Sequence, residues 1–155
     1  MKRTGLWIAA MALAGVAAQA GNAVCTVSTS GVAFGFFDPL TGQSAQTNGT
    51  IAVTCSGAPG DTAIYTITIT AGMGSFSARK LVAGVDGLIY NLYKDSACTQ
   101  VWGDGSGGTS VVSDSVRLVS SSLTTNYAIY GRVTGGQQTA RVHSYSDSLL
   151  VTVTY

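Results

Sequence analysis

Residues 145–155 read YSDSLLVTVTY, a pattern that strongly indicates a β-strand. One set of alternate positions is mostly apolar or aromatic, while the positions between them are mostly Ser or Thr; the first set comprises Tyr145, Asp147, Leu149, Val151, Val153 and Tyr155. Strict alternation is typical of a half-buried β-strand, because successive side chains point to opposite faces of a sheet. We expect the domain to close with this strand and to leave one apolar edge that something else must cover.

Shorter segments of the same kind occur upstream. The clearest covers residues 64–70, where Tyr65, Ile67 and Ile69 alternate with threonines. Glycines and two prolines separate the other strand-like segments, which are residues 24–27, 27–35, 50–55, 81–82, 88–93, 116–119 and 127–133. Roughly seven or more short strands joined by turns predict a single all-β domain, a β-sandwich.

The first twenty residues have the pattern of a secretory signal. Lys2 and Arg3 precede an uncharged apolar run, and Ala18-Gln19-Ala20 fits the small-x-small cleavage pattern. We predict cleavage after residue 20, with a cut after Ala23 as the alternative, so that the domain covers residues 21–155. The apolar run is too short for a transmembrane helix, so we expect an exported protein without stable membrane insertion.

Charge is sparse in the predicted mature chain. Without Lys2 and Arg3, six basic residues remain against seven Asp, which gives a net charge of about −1. A nucleic-acid-binding protein needs clustered Lys and Arg, so the sequence predicts no nucleic-acid partner. Weak charge also provides little repulsion between copies of the chain.

Three cysteines in an exported protein indicate one disulfide and one remaining thiol. Cys25 and Cys55 each lie in a strand-like segment, so a bridge between neighbouring strands is reasonable. Cys98 lies in the polar segment 94–100, where it is either a free thiol or the partner in an intermolecular bridge. The residues alone leave open a pairing of Cys98 with either of the others.

No set of residues suggests catalysis. His143 is the only histidine, and we expect it at the surface just before the last strand. A Gly-x-Ser-x-Gly nucleophile motif is absent from the sequence. The glycine-rich segment Asp104-Gly105-Ser106-Gly107-Gly108 lacks the ordered acidic ligands of a calcium loop, so we interpret it as a flexible turn. Arg79 and Lys80 form a basic pair that we expect to be solvated. These residues predict no enzyme, no metal and no cofactor.

Seven segments form an ordered set of motifs that spans almost all of the predicted mature chain. They are Cys25-Thr26-Val27, Phe34-Gly35-Phe36-Phe37-Asp38-Pro39, GTIAVTC at 49–55, LIYNLY at 88–93 with Asp95, Trp102-Gly103-Asp104-Gly105, Tyr130-Gly131-Arg132-Val133, and the alternating pattern at 145–155. Together they resemble the spore coat protein U domain, the family that also supplies subunits of archaic chaperone-usher pili.

This resemblance implies an immunoglobulin-like sandwich that lacks its final strand. It implies export through the periplasm, with a chaperone and an outer-membrane usher as partners, and assembly on the cell or spore surface. The strand-acceptor edge maps to Leu149, Val151, Val153 and Tyr155, where a strand from the chaperone and then from another subunit is added. The family disulfide maps to Cys25 and Cys55, with Cys98 outside the family pattern.

One departure from the family pattern concerns strand donation. Cleavage after residue 20 leaves only residues 21–24 before Cys25, whereas a useful donor strand runs about 5 to 10 residues. We therefore expect this chain to accept a strand but not to donate one. A terminal subunit of an adhesive, biofilm-type pilus, or a coat protein assembled differently, fits that expectation better than a mid-fibre subunit.

A rival function is a secreted module that binds carbohydrate or a surface. Trp102 beside the glycine-rich segment suggests it, as do four tyrosines, Tyr90, Tyr93, Tyr127 and Tyr130. Aromatic residues that alternate in strands more often pack in a core or on a sheet face than form a sugar platform. The leading hypothesis is therefore a structural surface protein.

Overall fold

The computed structural model describes residues 23–155, which form eight β-strands and one short 3-10 turn, with no α-helix in this range. The strands are β1 (Val24–Thr29), β2 (Ala45–Ser56), β3 (Thr62–Ile69), β4 (Arg79–Ala83), β5 (Asp86–Tyr93), β6 (Val112–Arg117), β7 (Ser122–Val133) and β8 (Val151–Thr154), and the 3-10 turn is Pro39–Thr41. The signal peptide predicted at residues 1–20 lies outside the described residues.

Two antiparallel sheets face each other across one core. The larger sheet has the strand order β1-β2-β7-β5-β4, and the smaller one has the order β6-β3-β8. Buried side chains from both sheets meet between them, among them Ile51 and Val53 of β2 and Ile67 of β3. The predicted all-β sandwich is confirmed.

The alternation predicted for residues 64–70 appears in β3. Tyr65, Ile67 and Ile69 are at most 2% exposed, whereas Ile64, on the opposite face, is 70% exposed. Period-2 burial follows from the pleat, which sends successive side chains to opposite faces. β3 is the central strand of its sheet, so its inner face lies fully beneath the larger sheet.

The cysteine pairing that the resemblance implied is confirmed. β1 pairs with β2 so that Cys25 stands opposite Cys55, and their sulfurs form a disulfide. Cys98 is buried and free among the described residues. Burial raises the pKa of its thiol, which favours the neutral thiol over the nucleophilic thiolate.

The last strand is shorter than the alternation predicts. β8 covers only four residues, because the preceding segment crosses from one sheet to the other. Ser146 exchanges backbone hydrogen bonds with Val82 of the larger sheet, at 2.8 and 3.1 Å. Four residues later, the Leu150 carbonyl accepts a hydrogen bond from the Thr70 backbone amide beside the smaller sheet. An alternating pattern cannot distinguish one strand from an extended crossing between two sheets.

The segment after β1 also differs from its predicted extent. Residues 30–38 belong to no strand, although alternation predicted a strand as far as residue 35. Val32 and Phe34 instead pack against the core from one side. A Cβ atom at Gly131 of β7 would lie 2.6 Å from Val32, so only glycine leaves room for this packing. No helix within residues 23–155 is long and apolar enough to cross a membrane.

Candidate functional site: an apolar groove between β1 and β8

β1 and β8 form the two sides of a groove. Each pairs with only one neighbour among the described strands, β1 with β2 and β8 with β3. They are edge strands of different sheets, yet their Cα atoms approach within 8 Å. The sandwich therefore has one side on which two unpaired edges face the same opening.

Exposure of inward-facing side chains marks this opening. Val27 of β1 lies opposite the fully buried Val53 and points to the same face, but it is 36% exposed. Val151 and Val153 of β8 are half-buried, although their partners Ile69 and Ile67 are at most 1% exposed. Core-facing valines normally lose their contact with water, so the core lacks cover along this side.

A cavity of about 320 Å³ occupies the opening. Its floor consists of buried aliphatic side chains, Ile51, Ile69, Leu92 and Ile129. One wall comes from Thr29, Gly31, Val32 and Phe34, and the other from residues 147–149 together with Val151. Its floor is apolar, while Thr29, Tyr90, Asp147 and Ser148 contribute polar groups to its lining, so it suits a chain whose apolar side chains enter from outside.

Three of the four residues predicted for the acceptor edge lie at this groove. Leu149, Val151 and Val153 pack against the core, and Leu149 does so from just before β8 begins. Tyr155 follows the end of β8 and is 58% exposed, so the structure places it outside the buried face. The remaining three residues keep the alternation that the sequence predicts.

A second, larger cavity continues the groove past the end of β8. Its volume is about 730 Å³, and it lies between residues 32–40 and residues 140–147. It shares Val32, Phe34 and Asp147 with the first cavity. Phe36 and Val142 on its rim are more than 90% exposed, which extends the apolar surface outward from the groove.

Asp147 anchors the crossing segment at the junction of the two cavities. Its carboxylate accepts hydrogen bonds from the Tyr90 hydroxyl at 2.8 Å and from the Met73 backbone amide at 3.1 Å. Burial, and then the hydrogen bond to Asp147, raises the pKa of Tyr90, so this phenol stays a donor well into the alkaline range. The sequence offered one signal for this contact, because Asp147 occupies a position of the alternation that is otherwise apolar.

The expectation that Arg79 is solvated is wrong. Its side chain is fully buried and donates to three acceptors: the Thr70 carbonyl at 3.0 and 3.1 Å, the Trp102 carbonyl at 2.7 Å and Asn91 Oδ1 at 2.6 Å. The guanidinium also lies over the Phe76 ring, 5.3 Å from its centroid. Burial lowers the pKa of Arg79, but an arginine remains charged at neutral pH. Carbonyl oxygens accept the hydrogen bonds of this buried cation. Because these acceptors are distant in the sequence, the basic pair alone could not predict them.

The other polar candidates form local contacts. His143 Nε2 lies 3.2 Å from Asp86 Oδ2 and its side chain is 48% exposed, in line with the expected surface position. Asp104 accepts from the amide and hydroxyl of Ser106, and these hydrogen bonds lower the pKa of Asp104 and close the glycine-rich turn. Residues 23–155 contain no cluster of three metal-ligating side chains.

The aromatic residues behind the carbohydrate-binding alternative lie mostly in the core. Trp102 is 0% exposed and donates its indole N–H to the Ile67 carbonyl. Tyr90 and Tyr93 are at most 8% exposed, and Tyr127 and Tyr130 are half-buried. A sugar platform needs exposed ring faces, so the structure gives this alternative no support.

Comparison with known proteins identifies the family. The Spore Coat Protein U domain model matches residues 10–152, which is most of the chain. The chain belongs to the Spore Coat Protein U domain family. Membership of this family, which is a structural and not an enzymatic one, indicates a coat-type surface protein.

The fold is also similar to a solved structure from Acinetobacter baumannii, the pre-assembly complex of the chaperone CsuC with the tip adhesion subunit CsuE of archaic chaperone-usher Csu pili. The TM-score is 0.58 at 17% sequence identity, with 86% of this chain and 40% of the matched chain covered. At this identity the likeness shows the fold alone, and this chain corresponds to less than half of the matched one. No curated protein sequence matches the chain.

Proposed function

We propose that this protein is a structural subunit of a surface coat or pilus and that it is assembled by addition of a β-strand to the groove between β1 and β8. One observation carries the proposal: inward-facing valines on both edge strands stay partly exposed above a cavity whose floor is buried core. In a sandwich with every strand in place, the apolar side chains of the inner faces are normally covered on all sides of the core.

A strand that enters the groove would pair with the free backbone groups of an edge strand and would also cover the exposed side chains of the core. Its backbone would pair with the free edge of β8 or β1, at the spacing of about 4.8 Å that separates neighbouring strands. Alternate side chains would enter the 320 Å³ cavity and contact Ile51, Ile69 and Ile129. Backbone pairing gives affinity in this recognition mode, and the side chains give specificity.

The proposed partners follow from this mode of assembly. During export a periplasmic chaperone would supply the strand, and an outer-membrane usher would then exchange it for a strand from another coat or pilus subunit. The matched solved structure supports the chaperone step, because it is a complex of a chaperone with a pilus subunit before assembly. We propose that the assembled product acts at the cell or spore surface in a coat, or in adhesion and biofilm formation; the terminal-subunit role stays a prediction.

Thermal unfolding of the purified exported chain tests the proposal. The probe is a set of synthetic ten-residue peptides that alternate Val, Leu or Phe with Thr or Ser and carry a terminal Lys for solubility. We expect the chain alone to be unstable, aggregated or strand-swapped, and at least one peptide to raise the unfolding temperature, because a ligand that binds only the folded state stabilises it.

The matched control is a peptide of the same composition in which the apolar residues are clustered instead of alternating, with the terminal Lys kept in place. Clustering places apolar side chains on both faces of an extended strand, and no slide along the groove restores a single apolar face. A stable monomer that responds to no peptide would overturn the proposal, and so would equal stabilisation by the clustered peptides.

A further inference from the structure

Two residues of the turn after β3, Thr70 and Met73, form hydrogen bonds that hold the segment just before β8. The Thr70 backbone amide donates to the Leu150 carbonyl at 3.1 Å, and the Leu150 amide donates back to Thr70 Oγ1 at 3.0 Å. Three residues further on, the Met73 amide donates to the Asp147 carboxylate. Residues 147–150 are thus fixed immediately before the edge strand begins.

Thr70 is in turn fixed from the interior by Arg79. The guanidinium donates from Nε and Nη2 to the Thr70 carbonyl, and the same Nη2 donates to the Trp102 carbonyl. Arg79 belongs to β4 of the larger sheet, so this contact ties the turn after β3 to the opposite sheet. Because the arginine is fully buried, its position is set by packing on all sides.

β8 depends on this anchor because its own ladder is short. It pairs with β3 over four residues only, and Val151 opposite Ile69 is the first pair. A slip of one residue would turn Val151 and Val153 outward and bring Thr152 to the groove. The residue directly before that first pair is Leu150, which Thr70 holds.

The geometry points to Thr70, backed by Arg79, as the positioning residue that sets the register of β8 and so presents Val151 and Val153 to an incoming strand. This role rests on the proposed function, since it concerns the edge that would accept the strand. Thr70 would not contact the incoming strand itself. It would act by holding Leu150 in place.

The test compares Thr70→Val with Thr70→Ser in complexes of the exported chain with a fluorescent version of the most stabilising synthetic peptide. Thr70 is exposed, and valine keeps its shape but removes the acceptor for the Leu150 amide. We expect the peptide to dissociate from Thr70→Val roughly three- to tenfold faster, the effect of one lost hydrogen bond. Thr70→Ser keeps the hydroxyl and should restore the parental rate within about twofold.

Thr66→Val is the matched control. Thr66 lies on β3 too, but its hydroxyl bonds to Ser113 of β6, away from the groove. We expect its peptide dissociation rate to equal that of the parent, even if its unfolding temperature falls slightly. Equal dissociation from Thr70→Val and the parent would overturn the role of Thr70 and leave the proposed function standing. Failure of the unsubstituted chain to bind any peptide would overturn both.

Discussion

β2 with β7 and β3 with β8 are both antiparallel pairs, but they differ threefold in length. β2 and β7 are in register over twelve residues, from Ala45 opposite Val133 to Ser56 opposite Ser122. β3 and β8 pair over four residues. The longer pair also adjoins β1 and its disulfide, whereas the shorter one borders the open groove. We therefore expect stability and strand acceptance to be perturbed separately, by substitutions in these two regions.

The largest expected effect comes from a charge on the inner face of β8. Val153→Asp or Val151→Asp would place an unpaired carboxylate against Ile67 or Ile69, which are fully buried. Because a buried unpaired charge is costly, we expect either variant to abolish secretion or assembly. The measurement is the amount of chain outside the cell and in assembled fractions.

Thr152→Asp is the control for these variants, because Thr152 points outward and is exposed. We expect it to be milder than either valine substitution. If all three variants accumulate outside the cell like the parent, the inner and outer faces of β8 are assigned wrongly.

The second prediction perturbs the long-ladder side. Removal of the disulfide in Cys25→Ala/Cys55→Ala should lower the free energy of unfolding by about 3 to 4 kcal/mol, the chain-entropy value for a loop closed over 30 residues. Urea unfolding of the peptide-bound chain measures the loss. Peptide mapping under non-reducing conditions provides the control, and a cross-link through Cys98 would contradict the prediction.

The third prediction concerns Arg79, whose hydrogen bonds connect the two regions. Arg79→Met should lower the free energy of unfolding by about 3 kcal/mol, because three acceptors, two of them buried, lose their donor. Arg117→Met is the control: Arg117 is exposed on β6, so its loss should change stability by less than about 0.5 kcal/mol. Equal stability of the two variants in urea unfolding would show that the buried network is dispensable.

The smallest effect is expected at alkaline pH and concerns two hydrogen-bonded tyrosines of the larger sheet, Tyr90 on β5 and Tyr127 on β7. Burial, and then hydrogen bonds to Asp114 and Tyr65, raises the pKa of Tyr127, as burial and Asp147 raise that of Tyr90. In the unfolded chain a tyrosine ionises near pH 10. Above that pH the folded state therefore binds more protons than the unfolded state. The contribution of these tyrosines to stability is fully present below pH 10 and is lost as the pH rises further.

Unfolding temperatures between pH 8 and pH 11 measure this fall. We expect Tyr127→Phe and Tyr90→Phe each to flatten it, since each removes one group that ionises only on unfolding. An unchanged slope in the double variant would assign the alkaline loss of stability to other groups.

Much of the fold was predictable from residues whose pattern agrees with their final environment. β3 and residues 88–93 alternate or cluster apolar side chains, and both became core strands. The groove was predicted through the resemblance and through Leu149, Val151 and Val153. Its second cavity was not, because residues 32–40 and 140–147 are irregular and have no periodic signal.

The fold class and the inner face of the last strand follow from the amino-acid sequence alone, because alternation of side chains is a local property of the chain. It also supplied the cysteine pair that the family pattern matches. Three features become visible only in the folded protein: Arg79 is buried, residues 146–150 cross between the sheets, and Asp147 accepts a hydrogen bond from Tyr90. These contacts join residues distant along the chain, and their stability depends on carbonyl and hydroxyl partners that only the packed sheets bring within hydrogen-bonding distance.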